Sequence, residues 1–172
     1  MTESSEHVVV GQGNGDIWPR VVADHPHQRV KLVDLLLRDP GYEGVYARVH
    51  ASVNFSVRNR RADDTNKWLT VGFYAKFGAA LFVDETTPEG SDWCWGALRP
   101  TPIEDPPPIY YDQPTGTLFP PRCVMPLGEL REVILEWVRT GQRPTSVEWL
   151  PINGLAWDLT DDGRVHVPNP AH

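Results

Sequence analysis

Hydrophobic and polar residues alternate between Val45 and Val57: Val49, Ala51, Val53, Phe55 and Val57 fall on one face, His50, Ser52, Asn54 and Ser56 on the other. A period of two is that of a half-buried strand. The segment KWLTVGFYAKFGAALFVDE, 67–85, carries two apolar runs around Lys76-Phe77-Gly78, which predicts an antiparallel hairpin turning there. Further short strands are expected in DWCWGAL, PIYYD and VEWLP, and a terminal hairpin in LAWDLTDDGRVHV around its Asp-Asp-Gly turn. The run Val8-Val9-Val10 ahead of a Gly-Asn-Gly turn predicts one edge strand near the start of the chain.

Two stretches follow the helical period instead. In PLGELREVILEWVRTG, Leu127, Leu130, Ile134, Trp137 and Val138 share one side while Glu129, Glu132, Glu136 and Arg139 face away. Pro126 suits the first position of that helix and Gly141 its stop. An earlier helix is expected near 26–38, capped by Asp24 or His25 with Pro26 in its first turn. There Val30, Val33 and Leu37 share a stripe with Leu36, and Asp39-Pro40-Gly41 ends it. Strands outnumber helices and mostly follow one another through short turns. The expected architecture is therefore α+β, an antiparallel sheet packed with two main helices, about 26–38 and 126–140, in a single domain over 1–172.

Composition narrows the class without changing that picture. Seven tryptophans, five tyrosines and five phenylalanines in 172 residues can repay the entropy of ordering the chain. No basic start leads into a continuous apolar run, so neither a signal peptide nor a membrane span is expected, and the expected location is cytoplasmic. Cys94 and Cys123 can pair, or serve in a reduced compartment as small buried hydrophobes.

The formal charge of −7 disfavours direct binding to nucleic acid and favours a basic partner. Its distribution says more. Asp84, Glu85, Glu89, Asp92, Glu104, Asp105 and Asp112 stand against Arg99 alone, so nearly the whole imbalance sits between 84 and 112. In the same stretch EDPPPIYYD, 104–112, joins three prolines to acids and the tyrosines Tyr110 and Tyr111. It reads as a stiff connection into a strand, and a stiff loop loses less entropy on binding. Trp93 and Trp95, spaced by two among these acids, share one strand face and suit an interface anchor as well as a core.

Chemistry of other kinds finds little support. His25-Pro26-His27 has no cysteine nearby and neither cysteine belongs to a Cys-x-x-Cys pair, so no metal or other cofactor is expected. The glycines of GQGNG lack a following Gly-Lys-Ser/Thr. Asp63-Asp64, Glu104-Asp105 and Asp161-Asp162 all fall in polar connections, where solvation leaves carboxylates ordinary. Cys94 with His50 is the one nucleophile-base pairing to entertain, although a cysteine between Trp93 and Trp95 suits a core.

The order of WLTVGF, the second hairpin strand, WGAL, IYYD and LGELREVILEWVRTGQRPTSVEW resembles immunity protein family 1 of bacterial polymorphic toxin systems. The resemblance runs from about Val45 to Leu150, leaving an N-terminal extension with the first helix and a C-terminal hairpin and tail. Its most specific part is Thr140-Gly141, then Arg143-Pro144, then Val147-Glu148-Trp149; the proline-rich layout is similar to actinobacterial members. What it implies is a non-catalytic antidote to a cognate toxin domain, often of deaminase fold with a basic cleft. On that reading the acids from Asp84 to Asp112, with Trp93, Trp95, Tyr110 and Tyr111, form the candidate toxin-binding surface. Two other functions stay open: an adaptor for another basic protein, and a small enzyme using Cys94. The oligomeric state is not legible.

Overall fold

A computed structural model of the chain describes residues 7–13, 21–37, 51–59, 66–89, 91–112, 116–152, 158–159 and 165–166. The expected Gly-Asn-Gly and Asp-Asp-Gly turns, the Asp39-Pro40-Gly41 stop, the strand start before Ala51, Trp157 and the tail lie outside these residues.

The principal sheet is built from β1 (His7–Gly13), β2 (Val21–Ala23), β3 (Ala51–Asn59), β4 (Lys67–Tyr74), β5 (Phe77–Asp84), β6 (Cys94–Leu98) and β10 (Glu148–Pro151). They lie in the order β10-β6-β5-β4-β3-β1-β2, and each neighbouring pair is antiparallel. β7 (Tyr110–Asp112), β8 (Thr117–Leu118), β11 (Asp158–Leu159) and β12 (Val165–His166) form a smaller sheet. The terminal hairpin β11–β12 thus exists as expected, but it joins β8 through a parallel pairing that the sequence did not announce. The two helices are α1 (Pro26–Leu37) and α2 (Leu127–Thr140). This is the α+β architecture, antiparallel sheet plus two helices, that the pattern predicts.

The centre of the principal sheet is covered on both faces, which is why almost all of β5 is buried rather than every second residue. On one face Leu69, Val71, Ala80, Phe82 and Ala97 pack against α1 and α2 through Leu32, Val33, Leu130, Ile134 and Trp137. On the other, Leu81, Val83 and Cys94 meet Ile109, Phe119, Cys123 and Val124 from the chain between β6 and α2. Glycines set how closely the layers approach. A Cβ on Gly72 would collide with the Tyr110 carbonyl oxygen and the Phe119 ring, and one on Gly78 with the Leu130 side chain.

Gly78 also explains a shift in the hairpin. The turn is Ala75-Lys76, with Ala75 in the left-handed region (φ 53°), and Tyr74 pairs with Phe77. The expected turn at Lys76-Phe77-Gly78 is therefore misplaced: Gly78 serves as the bare spot under α2. Beside Gly78, the two-residue β9 (Met125–Pro126) pairs with the start of β5, while β6 pairs with its end. Pro126 consequently sits just before α2 in extended conformation (ψ 144°), not in its first turn. A residue without N–H costs nothing at the start of a helix.

Both helices carry recognisable ends. The Gln28 side-chain oxygen reaches back to accept the N–H groups of Asp24 and His25, one half of a capping box, while the His25 carbonyl accepts from Gln28 and Arg29 as the first helical bonds. Gly141 closes α2 with φ 65° and donates to the Trp137 carbonyl. The buried stripe of α1 differs from the expected one: Val30 is 41% exposed, while Leu32, Val33, Leu37 and Arg29 are inside. Arg29 reaches the Val138 carbonyl through Nη1 (3.1 Å), so a cation at the helix-helix contact completes a stripe that hydrophobicity alone cannot show. On the outside of that contact Arg131 pairs with Asp34 (2.8 Å). The Val8-Val10 strand is interior, flanked by β2 and β3, so on that side the edge among the described residues is β2.

Candidate functional site

Among the described residues, no helix is long and apolar enough to cross a membrane, and no group of three or more His, Cys, Asp or Glu could hold a metal ion. Neither cysteine forms a disulfide, and both are buried. Burial pushes each thiol up to about 12, so at neutral pH neither supplies a thiolate. Burial thus works against Cys94 as a nucleophile, and His50 lies outside the described residues.

The expected acidic and aromatic surface splits into two. The first part surrounds the β5–β6 connection, where Glu85, Glu89 and Asp92 are exposed and Trp93 is 47% exposed. Trp93 lies beside Asp84, whose N–H donates to the Trp93 carbonyl (2.8 Å). The second part lies in the layer away from the helices, where Ile103 and Ile109 pack onto that face of the sheet. Glu104 and Asp105 are exposed there, Asp105 at a positive φ of 50°. Tyr110 and Tyr111 are half-buried, and Tyr111 meets Phe119 edge-on at 5.8 Å. Of Asp112 only its strand position, at a bulge opposite Thr117, is described. The proline-rich connection thus carries two exposed acids on its outside while Ile109 anchors it inside.

Asp84 is not a presented acid. It is buried and pairs with Lys67 directly across the hairpin (2.8 Å), and it accepts from the Thr86 N–H (2.9 Å). Burial alone would raise its pKa, but the bonds from Lys67 and Thr86 outweigh that and lower it. It therefore stays charged while its charge is neutralised locally.

Where α2 ends, the sheet face is left open as a groove of about 300 Å³ lined by Lys67, Phe82, Asp84, Thr87, Trp95, Gln142 and Arg143. Phe82 forms its floor and contacts Trp95 (5.7 Å between centroids), Trp137 (5.3 Å) and Trp149 (6.0 Å). The Arg143 guanidinium lies 4.5 Å from the centroid of the Trp95 ring. Trp95 is half-buried within this cluster, so it is at once wall and packing residue.

The loop that carries Arg143 is fastened at both ends. Glu136 accepts from the N–H and hydroxyl of Thr145 (2.7 and 2.9 Å) and from the Ser146 N–H (3.1 Å). The Thr140 hydroxyl donates to the Glu136 carbonyl and accepts from the Gln142 N–H, and Trp149 Nε1 donates to the Pro144 carbonyl (2.6 Å). Burial alone would raise the Glu136 carboxyl, yet the bonds from Ser146 and Thr145 hold it at about 2, below an ordinary 4.5. A depressed acid stabilises the fold fully above its unfolded pKa and loses that contribution as pH falls from about 4.5 through about 2. Glu136→Gln is expected to lower stability at pH 7 by about 1–2 kcal/mol, discounted for partial exposure, and by less at pH 3. Urea melts at the two pH values check this; an equal loss at both would contradict it.

Lys67, Gln142 and Arg143 were not among the sequence candidates for the site. The signal for Lys67 is its register opposite Asp84, which is readable only once the turn is set at Ala75-Lys76. For Arg143 it is a cation placed between the helix stop Gly141 and Pro144.

A family model described as immunity protein Imm1 matches residues 19–151. The matched span begins ahead of α1, ends in β10 and contains the whole groove. No curated protein and no solved structure matches the chain.

Proposed function

Because the chain belongs to the Imm1 immunity protein family, we propose that it neutralises a cognate toxin by binding it through the end of the sheet that carries Glu85, Glu89, Asp92 and Trp93. The observation that carries this reading is a large aromatic ring exposed among three unburied acids, beside a groove on the sheet face. Exposed aromatics are where binding energy concentrates, and a ring of one charge steers a partner of the other. The partner best suited is a basic one. A toxin that modifies nucleic acid, of the deaminase type, presents a cationic cleft to its phosphates, and an acidic face can occupy that cleft. Neutralisation on this reading is occlusion in the cytoplasm of the producing cell, with no chemistry by the antidote.

The test is co-expression with the toxin domain encoded beside this chain, followed by co-purification and association kinetics. Reversing Glu85, Glu89 and Asp92 to lysine is expected to slow association at least about tenfold at low salt and to leave the melting temperature nearly unchanged. Reversing Glu104 and Asp105 is the comparison from the layer away from the helices. If only the latter pair slows association, the toxin meets the other face and the assignment falls.

A further inference from the structure

The groove has the wrong sign to be a simple extension of the acidic rim. Its two cations are in different states. Lys67 is neutralised by Asp84 at 2.8 Å, whereas no carboxylate among the described residues is paired with Arg143. Resting on the toxin-binding reading, we propose that Arg143, held against Trp95, receives a carboxylate side chain of the toxin.

Three features support that occupant. A guanidinium that presents a face to an aromatic ring keeps its edge N–H groups for a planar acceptor, and a carboxylate matches that fork. Arg143 is exposed in the free protein, with Phe82 and Trp95 lining the groove beside it, so a charge pair formed there becomes shielded from water once the toxin covers the groove. The supporting loop is pinned through Glu136, Thr140 and Trp149, so little conformational freedom is left to lose when Arg143 is engaged. A volume of about 300 Å³ suits a single inserted side chain. A nucleic-acid phosphate is the poorer occupant, because Glu85, Glu89 and Asp92 on the adjoining β5–β6 connection repel a polyanion but attract a basic protein that carries one acid in its midst.

The resulting interface alternates in charge: acids of this chain against cations of the toxin, with one reversed pair between them. A purely acidic face attracts any basic surface. The reversed pair penalises a partner that offers a cation at that point, and so fixes both partner and orientation.

The experiment uses the full chain and an inactivated form of the toxin domain encoded beside it, with binding kinetics for wild type, Arg143→Gln, Arg143→Lys and Arg143→Glu. Arg143→Gln is expected to weaken binding roughly thirtyfold or more, mainly through faster dissociation, with Arg143→Lys between it and wild type. Arg143→Glu is expected to be weakest, and exchange of one toxin Asp or Glu for Lys to restore it. Melting temperatures equal to wild type separate these losses from unfolding. If Arg143→Gln binds within about twofold of wild type while the reversed rim associates slowly, the inference is overturned and the binding face stands. If wild type itself does not bind, both fall.

Discussion

Trp137→Ala is expected to destabilise the protein by about 3–5 kcal/mol, lowering its melting temperature by on the order of 10 °C. Trp137 has no exposed surface and is the largest fully buried side chain among the described residues. It projects from the last full turn of α2, meets Phe82 edge-on at 5.3 Å with the rings at 73°, and its carbonyl accepts the Gly141 N–H. Truncation removes the transfer free energy of an indole and leaves a cavity among Phe82, Ile134 and Val138. The strands around it cannot close that space, because their spacing is fixed by backbone pairing. Trp137→Phe should retain part of the ring packing and lose distinctly less. Urea melts of both variants decide the matter: a Trp137→Ala loss below about 1.5 kcal/mol would mean that the helix end is not the keystone the packing implies.

Gly72→Val is expected to cost about 3 kcal/mol or more, from crowding instead of emptiness. Gly72 lies in β4 opposite Ala79, where the chain entering β7 crosses the sheet. A Cβ there would run into the Tyr110 carbonyl oxygen, the Phe119 ring and the Ile109 side chain. A ring tip can swing aside, but the Tyr110 carbonyl is backbone within a paired strand. The whole layer must therefore lift, which also loosens Ile109 and Phe119 from Leu81 and Val83. Soluble expression and thermal melting test this, with Gly128→Ala as the comparison, since a Cβ at Gly128 meets nothing within 4 Å. Equal melting of the two variants would show that the layers are not in close register at Gly72.

The elements that a single-period pattern describes were legible: α2, the β4–β5 hairpin and the α+β class all follow from residues on one face. What escaped depends on layers meeting. Nothing local says that Gly78 lies beneath α2 instead of in a turn, that Arg29 belongs inside, or that β9 shares an edge of β5 with β6. The candidate surface was read as one continuous run from Asp84 to Asp112 because charge is counted along the chain. Folding leaves Glu85, Glu89, Asp92 and Trp93 on the β5–β6 connection and Glu104 and Asp105 on the layer away from the helices, turns Asp84 inward to Lys67 and brings Arg143 from some fifty residues away against Trp95. Sequence proximity is a guide to charge, not to shared surface.

Among the described residues β10 is the outermost strand on its side of the principal sheet, and this has a consequence for how the protein behaves in company. A bare strand edge offers a template on which another chain can pair, and that is the common route from a folded sheet protein to aggregation. β10 is only four residues long, begins with the exposed Glu148 and ends at Pro151, which has no N–H to offer. An incoming strand would find a short row of partners bounded by a charge at one end and a missing donor at the other. The sheet is thus blunted at this margin, and copies of the chain at high concentration gain little by adding to one another there.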